Sequence, residues 1–250
     1  MTLFGTRIPM MASLLFWLLV WEIVGQLDVM FLIPPFTSIV SAGFELVQTG
    51  SWQSASMITL RSFLYGMTLA IAVGVPLGVL MGRFKVIDNI FGLWVNMFVS
   101  APLSALVPIL MILFGMGETT VVVTVFLFAV WIIVLDARAG VMQVPTSLIE
   151  MGRSYGASRW TIFTKIILLS ALPEILAGIR IGLIRGVKGV VIGQILVSII
   201  GYGELFELYS RSFDMERFWA LTMLLFAAAM LLSAGVEYFE KRIEYYAGAR

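Results

Sequence analysis

The chain has 250 residues, of which 60% are hydrophobic and only 12% charged, and its mean hydropathy is +1.02. Soluble domains run nearer half apolar and a quarter charged, so an ordinary water-soluble fold is excluded. Cysteine and histidine are both absent, which removes disulfides, thiolate metal sites, Cys nucleophiles, histidine bases and haem ligation by histidine.

An apolar run of about 20 residues crosses a hydrocarbon core about 30 Å thick. Six such runs predict six spans, over roughly residues 8–27, 57–82, 90–114, 119–135, 171–200 and 218–238. The first lacks a small-residue cleavage site and reads as a span, not a signal peptide. Pro34-Pro35 breaks the chain after it, and the apolar residues that follow at helical spacing predict a short interfacial helix. Trp52, Tyr202, Tyr209, Trp219, Tyr238, Tyr245 and Tyr246 fall near predicted interfaces, where amphipathic rings anchor spans. The 15 methionines read as adaptable packing.

The net charge of +1 says little, but its distribution gives an orientation. Arg7, Arg83, Lys85, Arg138, Arg153, Arg159, Lys165, Lys241, Arg242 and Arg250 collect on one side of the predicted spans, and Arg211 and Arg217 on the other, with Arg61 near a span end. The positive-inside rule then puts both termini in the cytoplasm, with residues 138–170 as the largest cytoplasmic loop.

That loop carries its own helix signals. Pro145 stops the fourth span. Ser147-x-x-Glu150 matches a capping box, predicting a short helix through Tyr155. Gly156 supplies a left-handed terminus, and Ser158 an N-cap for a second helix leading to Pro173 and the fifth span.

The fifth span is striped with glycine. Gly178, Gly182, Gly186, Gly189 and Gly193 fall within an arc of about 80° at 100° per residue. Gly74, Gly78 and Gly82 make a shorter stripe in the second span. Glycines on one face let helices approach closely in lipid, either as static packing or as a seam along which helices slide. Arg185 and Lys188 sit near the middle of the fifth span, where a cation costs roughly 2.5–3.5 kcal/mol on insertion scales. Two readings stay open. They line a route and favour an anionic solute, or they pair with acids such as Glu22 and Asp136.

Glu150, Gly156-Ala157-Ser158 and Ile166-x-Leu168 resemble the EAA signature of ABC importer permeases. Ile33-Pro34-Pro35, Gly74-Val75-Pro76-Leu77-Gly78, LSALVPILMILFGMGE and ALPEILAGIRIGL look like the nitrate/sulfonate/taurine branch, so the likeness runs from about residue 10 to 245. Met151-Gly152 stand where the family prefers two alanines, and Leu169 where the signature has proline. Glu150 reads either as a helix cap alone or as a docking residue.

The resemblance implies an all-α, type I importer permease fold of about six transmembrane helices, a MetI-like core preceded by one N-terminal span. Residues 1–250 form a single permease domain with its core at 57–245. It also implies that Glu150, Met151, Gly152, Arg153, Ser154, Gly156, Ala157, Ser158 and Arg159 couple to a cytoplasmic ATPase dimer. Further implied partners are an extracytoplasmic solute-binding protein and a second permease copy. Arg185 resembles an arginine found in part of the branch, and Gln194 stands where the branch often has an acid, so Arg185, Lys188 and Gln194 are the candidate pathway residues. No GxxxxGK[ST] is present. The chain is therefore expected to be no enzyme and to hold no cofactor, ATP and Mg belonging to the partner ATPase. A bacterial inner-membrane location follows, with no nucleic acid as partner. The expected function is a permease for a small, anionic solute of the sulfonate, taurine, nitrate or aromatic carboxylate class. The alternative is an ion-gradient-driven secondary transporter, whose usual inverted repeat is not apparent. A membrane enzyme would need a constellation of carboxylates or serines that the chain does not display.

Overall fold

The computed structural model describes residues 2–3, 6–7, 10–28, 30–197 and 199–248, with side chains described for 11–28, 30–197, 199–231, 234, 235, 237 and 238. The side chains of Arg7, Lys241, Arg242, Tyr245 and Tyr246, and Arg250 altogether, lie outside the described residues. The helices in chain order are α1 (Met10–Gln26), α2 (Phe36–Val47), α3 (Gly50–Arg83), α4 (Lys85–Ser100), α5 (Val107–Phe114) and α6 (Glu118–Met142). They continue with α7 (Thr146–Ser154), α8 (Arg159–Ile162), α9 (Leu168–Val197), α10 (Gly201–Arg211) and α11 (Met215–Gly248). Two-residue strands, Thr2–Leu3 and Thr6–Arg7, pair ahead of α1.

Among the described residues, three helical stretches are long and apolar enough to cross a bilayer: Gly50–Arg83, Glu118–Met142 and Arg159–Val197. α1 and α2 are apolar but shorter, and α2 is the helix expected after Pro34-Pro35. The third predicted span, residues 90–114, is not one rod. α4 and the following helical stretch Leu103–Phe114 bend by 98°. Pro102 explains the break. Its ring disfavours helical geometry in the residue before it, and Ala101 is extended with ψ 147°.

α6 is the central post. One side of it meets α3 and the other meets α9. Val121, Val125, Ala129, Ile133 and Val134 of α6 are completely buried, together with Ala70 of α3 and, nearly so, Val190 and Val197 of α9. Both glycine stripes face this post, except for Gly186, which faces Phe63 and Met67 of α3. A Cβ at Gly78 would lie 2.5 Å from the Val134 carbonyl oxygen, and one at Gly182 would lie 2.7 Å from Ile133 Cγ1. With nearly all side-chain bulk supplied by α6, the backbones of α3 and α9 close onto it. The stripes are therefore contact faces within one chain.

α6 is also tied at both ends. Arg61 of α3 pairs with Glu118, its Nε donating to Oε1 at 2.7 Å. At the other end Arg138 Nη2 donates to Asp88 Oδ2 of α4 at 2.8 Å. The two ends of the post are thus the two polar edges of the bundle. A second core joins α2 to α10 and α11 through Ile39, Leu46, Leu205 and Leu221. Trp219 Nε1 donates to the Leu32 carbonyl at 2.9 Å and stacks edge-on with Trp21, fastening the α1–α2 connection to α11.

Candidate functional site

The polar loop between α6 and α9 folds as two short helices, α7 and α8, the second of which runs on toward α9. α7 ends in a Schellman motif. Gly156 takes φ +74°, its amide bonds the Arg153 carbonyl at 2.9 Å, and the Ala157 amide bonds the Gly152 carbonyl at 3.0 Å. Ser158 then caps α8, its hydroxyl accepting from the Thr161 amide at 3.1 Å.

Two details differ from expectation. The capping box does not form. α7 starts at Thr146 with Pro145 as its N-cap (φ −59°, ψ 130°) and no side-chain cap. Proline has no amide for Glu150 to reach back to, and its fixed φ sets the helix entry one residue before Ser147 acts. The helix ends at Ser154, with Tyr155 as C-cap. Nor does Pro173 end the second helix. α8 passes through a π turn at Phe163–Ile167 into α9, which runs on through Pro173. Proline removes one hydrogen bond, but buried Ala171 and Ile175 on either side hold the rod together.

The loop's root is apolar and its tip is polar. Ile162, Ile167 and Val144 pack with Val79, Ala137, Val141, Ala171 and Ile175, so the root engages the ends of α3, α6 and α9 together. Gly152 is buried there, and a Cβ on it would lie 2.6 Å from Ile166 Cδ1. Ala157 is half-buried, while Glu150, Met151, Arg153, Ser154, Gly156, Ser158 and Arg159 are exposed. The Glu150 carboxylate takes part in no hydrogen bond or ion pair among the described residues. The loop therefore presents a carboxylate with no partner among the described residues, seated on three helix ends.

The fifth-span cations part company. Arg185 is half-buried and interacts electrostatically with Asp136 of α6, which lies beside Gly178. Glu22 is not its partner. That carboxylate accepts from the Thr37 amide at 3.0 Å and hydroxyl at 2.9 Å, joining α1 to α2. Lys188 instead opens into a cavity of about 820 Å³ walled by α9, α10 and α11. Gln194 is 1% exposed, in the contact between α3, α9 and α10. Its Oε1 lies 3.0 Å from the Thr59 hydroxyl and accepts from the Tyr202 amide at 3.2 Å.

The profile of the family described as binding-protein-dependent transport system inner membrane component matches residues 74–245. This chain belongs to that family. A Methanocaldococcus jannaschii protein, provisionally named an ABC transporter permease protein, is 30% identical over 84% of this chain and 77% of its own length. The taurine transport system permease protein TauC of Escherichia coli is 28% identical over 79% of this chain and 71% of its own. An inward-facing structure of the MetNI methionine ABC transporter superposes with a TM-score of 0.62 over 75% of this chain and 93% of that one. At 22% identity this last likeness speaks for the fold alone.

The permease is thus a transport component and not a catalytic subunit. Its loop shows two residues that sequence reasoning passed over. Tyr155 and Trp160 flank the Gly156 turn and are 87% and 72% exposed. Two large rings amid charges in a short loop were the available signal, since such residues gain most from burial. The aromatic wall of the cavity had no comparable signal, because Phe206 and Phe218 come from different helices.

Proposed function

We propose that this permease forms the transmembrane pathway of an ATP-driven importer for a small anionic solute, with two copies enclosing the route. The α7–α8 knob docks into a cytoplasmic ATPase dimer that holds ATP and Mg, and a solute-binding protein delivers cargo on the opposite side. Both termini face the cytoplasm of a bacterial inner membrane. The observation that carries this reading is the knob itself. Its tip offers an unpaired Glu150 carboxylate, Arg153, Arg159 and two exposed rings, while its root is packed against α3, α6 and α9.

Closure of the ATPase pair moves the knob as one body, because the Schellman turn and the Ser158 cap leave it little internal freedom. The displacement passes through Ile162 and Ile167 into α9, whose other end carries Gln194 and the contact with α10. Inward- and outward-facing populations then shift with nucleotide state. The route runs by the α9–α11 cavity, with Lys188 in its wall, Arg185 on the adjoining face and Gln194 holding α10.

Reconstitution tests the proposal. Uptake into proteoliposomes should require ATP, the ATPase and the binding protein. Glu150→Lys and Gly156→Asp should break coupling while leaving the permease folded. Normal co-purification with the ATPase and normal ATP-driven uptake in both variants would overturn it.

A further inference from the structure

The cavity beside Lys188 narrows the chemistry of the cargo, on the reading above that it lies on the transport route. It is a half-open groove of about 820 Å³, within the range of about 300–1,000 Å³ usual for small-molecule sites, and Lys188 is exposed along it. Phe206, Phe218, Trp219 and Phe226 line it along with aliphatic residues of α9. Three charged residues reach it: Lys188, Glu207 and Arg211. Glu207 and Arg211 form an ion pair one turn apart on α10, so they neutralise each other. Lys188 has no ion pair or hydrogen bond among the described residues, and its charge is left over.

We propose that the solute is an amphipathic anion: one anionic head, carboxylate or sulfonate, on an apolar body of aromatic-ring size. The head sits at the Lys188 ammonium and the body lies against the phenylalanine and tryptophan side chains. Small inorganic anions fit poorly. Nitrate needs several donors to replace its water, and apart from Lys188 this wall offers few. Zwitterions such as taurine fit poorly too. Their ammonium group needs a carboxylate, and the one in the wall is taken by Arg211. Only an apolar body gains by leaving water against this wall.

The test is equilibrium binding of radiolabelled p-toluenesulfonate to the purified full chain in lipid nanodiscs. Binding should be displaced poorly by taurine, by nitrate and by the uncharged phenyl methyl sulfone. Lys188→Gln should weaken it about tenfold or more, about 1.4 kcal/mol, and Lys188→Arg should keep it. Ala229→Phe, which fills the cavity, should abolish it with the fold intact by thermal unfolding. Absence of binding, equal competition by taurine or nitrate, or an unchanged Lys188→Gln would each overturn the inference. ATP-driven uptake by the assembled transporter separates the two readings. Uptake of nitrate or taurine with p-toluenesulfonate excluded would sink the cargo class and leave the permease role standing. Intact p-toluenesulfonate binding without ATP-dependent uptake would do the reverse.

Discussion

The Thr59 hydroxyl and the Gln194 side-chain oxygen meet at 3.0 Å in a buried contact that joins helices 135 residues apart. The same oxygen accepts the Tyr202 amide, so one side chain fixes the end of α9 to both α3 and the start of α10. The turn is closed so tightly that Cβ atoms at Gly201 and Gly203 would collide with Gln194, at its side chain and its backbone carbonyl respectively. Replacing Gln194 by leucine leaves the Tyr202 amide only its longer bond to the Thr59 hydroxyl, at 3.4 Å. Unfolding in lipid micelles should show a loss of about 1–3 kcal/mol. Thr59→Ser, which keeps the hydroxyl, should cost much less. Equal midpoints for wild type and Gln194→Leu would show that α10 is held by packing alone.

The α3–α6 seam makes an equally sharp forecast. Gly78→Ala drives a methyl group to 2.5 Å from a backbone oxygen that cannot move without dragging α6. It should lower stability by about 2 kcal/mol or prevent accumulation of the protein. Gly43→Ala is the control. Its Cβ would meet Ala220 at an ordinary 3.8 Å, and its midpoint should hold or rise.

The ion pairs at the two ends of α6 differ in value. Asp88 and Arg138 are mostly buried, whereas Arg61 is half exposed opposite Glu118. A double-mutant cycle on Asp88 and Arg138 should return a coupling of about 1–2 kcal/mol. The Arg61–Glu118 cycle should return less, because solvent screens it. The reverse order would show that the Arg61–Glu118 edge of the bundle is drier than its side chains indicate.

Gly156 sits in the left-handed region at φ +74° with open space beside it, so backbone geometry alone is at stake. Gly156→Val should cost about 1–2 kcal/mol locally and loosen ATPase binding, and Gly156→Asn should be tolerated. Pull-down with the ATPase reads the difference. Equal recovery of both variants would remove the turn from the docking mechanism.

Tyr155 and Trp160 separate docking from folding. Because both are exposed, Tyr155→Ala and Trp160→Ala should leave the unfolding midpoint of the isolated permease unchanged. Each should weaken ATPase binding about tenfold, as aromatic anchors do at interfaces. A shifted midpoint with unchanged binding would make them structural residues.

The loop was legible because its signals are local. Gly156, Ser158 and Pro145 act through the backbone of their immediate neighbours, and they did so here, except that Pro145 displaced the capping role expected of Ser147 and Glu150. The Pro34-Pro35 break and the helix after it were local in the same way.

The sequence by itself determined that the chain is a membrane bundle with a two-helix polar loop, since apolar length and turn chemistry need no knowledge of distant neighbours. Only the tertiary structure decided which polar groups meet. Arg185 and Lys188 lie three positions apart on one helix, yet only Lys188 lines the cavity walled by α10 and α11, while Arg185 is within electrostatic reach of Asp136 without an ion pair to it among the described residues. Residues three apart stand only about 60° apart around a helix, so the difference comes from the neighbours on either flank, α6 for one and α10 with α11 for the other, and those are set by glycine faces closing on α6. The same packing carried α9 through Pro173. Each outcome depends on contacts made far along the chain, where local propensity has no reach.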